Sequence, residues 1–286
     1  MTAPTRFRPP VTQMVASSAL VAGLVVAKAG HISYFFRNIL LSIPLVVRRY
    51  RKEFTRVLVD ISWGNGSIVV GGGTIGVAIV LGATAGALIS VEGFNALNLL
   101  GLGPATGLIS SFVGTRELAP VMIGLAFATQ AGCRFTAQLG AMRINEEIDA
   151  LDTLGVNSVA YLVTTRVAAA VTAAVPLFLV CLAAAYVSAE MVAAAVSDHS
   201  VGTYMHYFSL GASGRDVFFA VVKAVVFVFA ASTMQCYYGY YASGGPAGVG
   251  VAAGRAMRAS ITVVIIVNML LTMALWSVDS GARFGG

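Results

Sequence analysis

Long apolar runs without a single charge alternate along this chain with short polar segments. Ile61–Val91, Leu118–Cys133, Val167–Ala189, Ala224–Gly254 and Ala259–Val278 contain no Asp, Glu, Lys or Arg. About 20 apolar residues cross the hydrocarbon core of a bilayer as a helix. The pattern therefore predicts five spans over roughly 67–91, 107–133, 161–188, 216–238 and 257–278. The alternating ten-residue strands of a membrane barrel are missing from the pattern, so the expected fold class is an all-α polytopic membrane protein. Residues 1–60 are expected to form a cytoplasmic N-terminus with interfacial helices, and 61–286 the membrane domain. Within 11–55, Phe35, Phe36, Ile39, Leu40 and Ile43 mix with Arg37 and Asn38, as in a helix lying in the interface. Val11–Ala27 also admits a signal-peptide reading, with Arg6 and Arg8 before it and Ala27-Lys28-Ala29 imitating a cleavage site.

One polar segment departs from the rest. Four of the twelve acidic residues, Glu146, Glu147, Asp149 and Asp152, fall between spans two and three. Ile144, Ile148, Leu151 and Gly155 recur at i, i+4, i+7 and i+11, which predicts a helix over 138–155 with one apolar and one acidic face. Gly155 is a candidate C-cap and Asn157-Ser158 a candidate start for the next helix. The apolar stripe has two possible covers, the protein's own spans or a partner.

Composition agrees with the hydropathy pattern: 58% of residues are hydrophobic, 10% are charged and the mean hydropathy is +0.85, whereas soluble domains carry about a quarter charged residues. The net charge of +6 does not indicate nucleic acid, because nine of eighteen Lys and Arg residues precede Asp60 and the run Arg48-Arg49-Tyr50-Arg51-Lys52 flanks the first span. With the N-terminus in the cytoplasm, Arg134, Arg143, Arg166, Arg255 and Arg258 fall inside as well. Arg116, Arg215 and Arg283 fall outside. The positive-inside rule favours this orientation, which puts 138–155 and the Gly-rich segment Gly239–Gly254 in the cytoplasm and 189–215 outside. The C-terminus lies outside.

Candidate chemistry is sparse. Gly71-Gly72-Gly73-Thr74-Ile75-Gly76 matches GxGxxG but lies in an apolar run, where helix packing explains it better than a dinucleotide. Gly72/Gly76 and Gly82/Gly86 are small-xxx-small pairs suited to close helix contact. No GxxxxGK[ST] motif occurs, so any ATP would be hydrolysed by another chain. Cys133, Cys181 and Cys236 are scattered in apolar runs and read as buried thiols. His31, His199 and His206 lack metal-ligand spacing, and the sequon Asn65-Gly66-Ser67 lies on the expected inner side. Arg116, Glu117 and Lys223 are intramembrane charges. Arg116 and Lys223 either snorkel to the outer interface or, together with Glu117, line a substrate cavity.

Several motifs together resemble one family. They are Arg116-Glu117-Leu118-Ala119-Pro120-Val121, Ala131-Gly132-Cys133-Arg134, Ala137-Gln138-Leu139-Gly140-Ala141-Met142-Arg143 and Glu146-Glu147-Ile148-Asp149-Ala150-Leu151. Leu154-Gly155-Val156, Cys236-Tyr237-Tyr238-Gly239-Tyr240 and Gly244-Gly245-Pro246-Ala247-Gly248-Val249-Gly250 follow in order. The chain resembles the MlaE/YrbE permeases over about 65–278 and is most similar to B-type YrbE subunits of actinobacterial Mce systems. Gln138-Leu139-Gly140 departs from the family's usual Glu-Leu-Gly, as does the Cys133 inserted into its Ala-Gly-Arg.

The resemblance implies an elbow helix and five spans in the permease subunit of an ATP-driven lipid transporter of the inner membrane, with import as the expected direction. It implies no catalytic residue, metal or cofactor on this chain, with ATP and Mg held by a separate cytoplasmic ABC ATPase. Arg143, Ile144, Glu146, Glu147, Ile148, Asp149, Leu151, Asp152, Leu154 and Gly155 would couple to that ATPase. Arg116, Glu117 and Lys223 would line the substrate cavity. A paralogous A-type YrbE subunit would complete a heterodimer, and MCE proteins would meet the outer side. The alternative from another class is a membrane scaffold that anchors an envelope complex without transporting.

Overall fold

The computed structural model describes residues 10–63, 73–196 and 200–276, and their regular structure is entirely helical. In chain order the helices are α1 (Pro10–Arg49), α2 (Arg51–Trp63), α3 (Gly73–Asn98), α4 (Gly103–Ile144), α5 (Glu147–Thr153), α6 (Val159–Val196), α7 (Val201–Gly211), α8 (Gly214–Tyr240) and α9 (Gly245–Trp276). Five of these, α3, α4, α6, α8 and α9, are long and apolar enough to cross a membrane. The later part of α1 and α2 meet at 113° and form an elbow. The sequon at Asn65, the glycines Gly71 and Gly72, the pair Asp198–His199 and the first residues of the expected span one lie outside the described residues.

The spans extend past the charge-free runs because a helix continues wherever its backbone bonds do, whatever its side chains. Span two is the extreme case. It runs for 42 residues and contains π-helical turns at Gly114–Leu118 and Ala128–Gly132. A polar side chain of α8 bonds a main-chain carbonyl at each one. Lys223 Nζ donates to Arg116 O (2.8 Å) and Gln235 Nε2 to Ala128 O (3.2 Å). Such insertions are a recognised cause of irregular turns within helices.

Small residues let the spans approach closely. A Cβ at Gly82 would overlap the Cys181 carbonyl, and one at Gly86 the Ala185 carbonyl, so α3 and α6 touch backbone to backbone. Ser90 Oγ donates to Ala189 O and Ser188 Oγ to Ala83 O, each at 2.7 Å. Hydrogen bonds of this kind hold helices together where no hydrophobic driving force separates lipid from protein. Cys181 and Cys236 are buried free thiols, and Cys133 is half-buried.

Two expectations need correction. A single helix over 138–155 does not form. Residues up to Ile144 belong to α4, and the chain turns at Asn145 and Glu146, where Glu146 adopts φ 60°. The separate helix α5 covers only Glu147–Thr153. Span five begins before residue 257: the chain turns at Gly244 (φ +91°) and Gly245 (φ +71°), then continues as the first turns of α9. Those turns pack on α4, where Gly140 has so little room that a Cβ would lie 2.8 Å from Val249. α2 runs through residue 60, and its Ile61 belongs to the main core. The outward segment 189–215 is also largely helical, and α7 docks so closely on α4 that a Cβ at Gly107 would overlap the Tyr204 carbonyl.

Candidate coupling elbow and intramembrane charge network

The acidic elbow, the turn at Asn145–Glu146 together with α5, sits at the end of the bundle shared by α1 and α2. Its apolar stripe is covered by the protein itself: Ile148 is fully buried in the main core and Leu151 packs against it. Glu146, Glu147, Asp149 and Asp152 are exposed, as is Leu154 at 77%. α5 ends as expected at Gly155, φ +73°. Val156 N–H donates to Leu151 O (3.1 Å) and Gly155 N–H to Asp152 O (3.0 Å), the bond pair of a Schellman C-cap. Asn157 then caps α6, its Oδ1 accepting from Ala160 N–H at 2.9 Å. Arg143 Nη1 donates to Asp149 Oδ1 (2.6 Å) across the turn, and Asn145 Nδ2 to Glu147 Oε1 (3.3 Å). Ser158 and Tyr240 share a 2.8 Å hydroxyl bond that ties the elbow to α8. Beside it, burial pushes up the Tyr241 phenol, helped by the neighbouring Tyr240 and Tyr237.

Sequence reasoning did not find the aromatic clamp behind this elbow. Phe35 of α1 meets Tyr237, Tyr240 and Tyr241 with ring centroids 5.4–6.1 Å apart. His31 Nδ1 lies 2.9 Å from Tyr237 Oη. The run Tyr237-Tyr238 to Tyr240-Tyr241 was visible in the sequence, but its facing residues on α1 were not.

Arg116, Glu117 and Lys223 come together toward the opposite end. The first π turn of α4 aims Glu117 at α8 and α9. Lys223 Nζ donates to Glu117 Oε1 (3.0 Å) and Thr272 Oγ1 (2.7 Å). Thr272 Oγ1 donates to the same carboxylate oxygen (2.8 Å), and Asn268 Nδ2 donates to Glu117 Oε2 (3.0 Å). Arg116 Nη2 pairs with Asp216 Oδ2 at 2.9 Å, Trp276 Nε1 donates to Asp216 Oδ1 at 2.7 Å, and the guanidinium stacks over Phe112 at 4.5 Å. Lys223 is fully buried and Glu117 about one-third exposed. Lys223 therefore does not snorkel; it is held inside by its partners.

Asp216, Asn268, Thr272 and Trp276 were missed. The signal for Asp216 was its place as the acid opening span four. The other three are scattered in an apolar run, and only the packing of α8 on α9 reveals them. Near Glu117, α9 turns Ile265, Ile266, Met269, Leu270 and Met273 outward, each 54–66% exposed.

The sequence matches the family model described as "Permease MlaE" over residues 65–274, which takes in the spans from α3 to all but the last two residues of α9. The chain belongs to the MlaE permease family. Among curated relatives it is similar to a probable ABC transporter permease protein of Rickettsia bellii, 32% identical over 193 residues, 68% of this chain and 74% of that one. The Arabidopsis thaliana chloroplast protein Trigalactosyldiacylglycerol 1 is 28% identical over 199 residues, 70% of this chain and 57% of that one. A probable ABC transporter permease protein of Synechocystis is 26% identical over 224 residues, 76% of this chain and 82% of that one. This MlaE permease is thus a multi-pass ABC transporter permease. Among the described residues no His, Cys, Asp and Glu group could hold a metal ion.

Proposed function

We propose that this MlaE permease is the B-type YrbE subunit of an Mce-class lipid transporter, moving lipid between the plasma membrane and the outer envelope in the importing direction. The observation that carries the reading is the division of the acidic elbow into a buried apolar side and an exposed acidic side. A self-covered Ile148 leaves the carboxylates and Leu154 as the outward surface. That surface suits a separate cytoplasmic ABC ATPase, which would hold ATP and Mg. The naming of a relative for trigalactosyldiacylglycerol supports lipid as the cargo.

In mechanism, the ATPase pushes α5 as it closes. Arg143, Glu146, Glu147, Asp149, Asp152 and Leu154 meet it, while Ile144, Ile148, Leu151 and the Gly155 cap transmit the push, because α5 packs into the core that α4 and α6 share. The exposed face of α9 meets an A-type YrbE paralogue, and the cavity between the two subunits opens and collapses around the lipid. Glu117, the most exposed charged side chain of the network, faces that cavity. Arg116 and Lys223 hold it in place. MCE proteins receive or deliver lipid at the end bearing α7, the N-terminus is cytoplasmic and no covalent chemistry occurs on this chain.

The test is reconstitution of the permease with its ATPase. Glu147→Lys with Asp149→Lys should uncouple ATP turnover from lipid movement by about tenfold or more, in keeping with the loss of one charged contact, while insertion is unchanged. Normal lipid movement by the double variant overturns the docking surface. ATPase binding without any lipid movement by the unaltered complex favours the scaffold instead.

A further inference from the structure

At the elbow end, α2 leans across α4 and α6 and leaves a cavity of about 920 Å³ between the three. Its lining includes the polar side chains Lys52, Glu53, Arg56, Asp60, Gln138 and Arg166. Arg166 has an uncommon position. It lies eight residues into α6 counting from Val159, only 7% exposed. Nη1 donates to Leu162 O (2.7 Å) and Nη2 makes a long contact to Gln138 Oε1 (3.4 Å), while Nε has no acceptor. Neither acid of the cavity bonds Arg166: Glu53 pairs with Arg56 at 3.7 Å and Asp60 Oδ2 with Arg134, while Asp60 Oδ1 has no hydrogen-bond partner. A guanidinium stays protonated under all ordinary conditions and carries five donors. A buried one bonded only to neutral oxygens, with its Nε left over, suits an anion.

The rest of the cavity narrows the class of anion. Lys52 and the 81% exposed Arg56 stand at its mouth on α2, so cations gather at two levels, one deep and one at the surface. Val57, Val59 and Leu162 line the same space, giving apolar wall beside the charges. Planar Arg forks suit phosphate oxygens, and basic residues beside a span attract anionic headgroups. We propose that this cavity binds the phosphate of a membrane phospholipid, held as a resident lipid that wedges α2 against the ends of α4 and α6. The site lies at the opposite end of the bundle from Glu117 and does not depend on which lipid is transported.

The full chain, purified in a maltoside detergent, is exposed to phosphatidylglycerol carrying a photoreactive group on its headgroup, and labelled peptides are mapped. Two arms identify the source: diacylglycerol carrying the same photoreactive group, and inorganic phosphate added in excess. Labelling is expected on peptides containing residues 52–60 and 161–166, about tenfold above the diacylglycerol probe, and unaffected by inorganic phosphate. Arg166→Gln should reduce it by about tenfold. Because that variant also loses the bond to Leu162, the exposed pair Lys52→Gln/Arg56→Gln serves as a second variant and should reduce labelling several-fold with the melting temperature unchanged. Equal labelling by both probes overturns the phosphate, and displacement by inorganic phosphate overturns the lipid. Full labelling of the Lys52/Arg56 variant overturns the site. No ATP or transport enters the measurement, so it can fail while the transporter reading stands.

Discussion

The two charge clusters of this permease use the same side chains in opposite ways. Around Lys223 and Glu117, the charges are drawn inside and their hydrogen bonds tie α4, α8 and α9 to one another. Around Arg143 and Asp149, the ion pair sits at 36% and 57% side-chain exposure and spans a single turn of chain. The inner cluster is costly to assemble and more costly to break, because removing one partner strands the other in a low dielectric. The outer cluster contributes little to folding, as exposed pairs generally do, and is free to be remade against another surface. Buried charges here hold helices in place, and exposed ones offer contact.

The sharpest way to break the comparison is Lys223→Met. It leaves Glu117 without its cation and should cost about 3–5 kcal/mol, measured by denaturant unfolding in detergent. Adding Glu117→Gln should recover part of that loss, and strict additivity of the two would show that they do not interact. Next comes Gly86→Val. The Ala185 carbonyl already occupies the space of a Cβ, so α3 and α6 must separate, at about 1–3 kcal/mol; cysteine crosslinking between the two helices should fall in parallel. Gln235→Leu removes the donor to Ala128 O and the acceptor for Thr136 Oγ1 (2.6 Å). It should cost about 1–3 kcal/mol, and amide exchange should rise at the second π turn. The smallest effect is expected from Asp149→Asn, at most about 1 kcal/mol on stability. A loss as large as that of Lys223→Met would place both clusters in one class.

Much of the architecture was legible in the sequence. Five spans follow from charge-free runs, since no other structure buries that much apolar surface without leaving backbone groups unpaired in lipid. Gly155 and Asn157 were readable as caps because capping is a local matter of backbone conformation and side-chain reach. The break at Glu146 was not. The 3.6-residue pattern of Ile144, Ile148 and Leu151 runs through it, and a left-handed residue without glycine leaves no compositional mark. Gly245–Gly254 hid the early start of span five for another reason. Glycine usually marks a turn, but here, after two turn glycines, the small residues admit α4 at close range.

The charge network shows the same division. Arg116, Glu117 and Lys223 stand out in any apolar sequence because charge in a bilayer is expensive. That expense demanded partners without naming them. Asp216, Asn268, Thr272 and Trp276 were supplied by the crossing of α8 and α9, contacts that join residues up to 155 positions apart. Membrane insertion, span number and cap chemistry were thus determined by the sequence itself, because each depends on residues near one another along the chain. Which charge meets which, and which side of the acidic elbow remains open, was decided only by tertiary packing, where close helix approach selects partners that distance along the chain conceals.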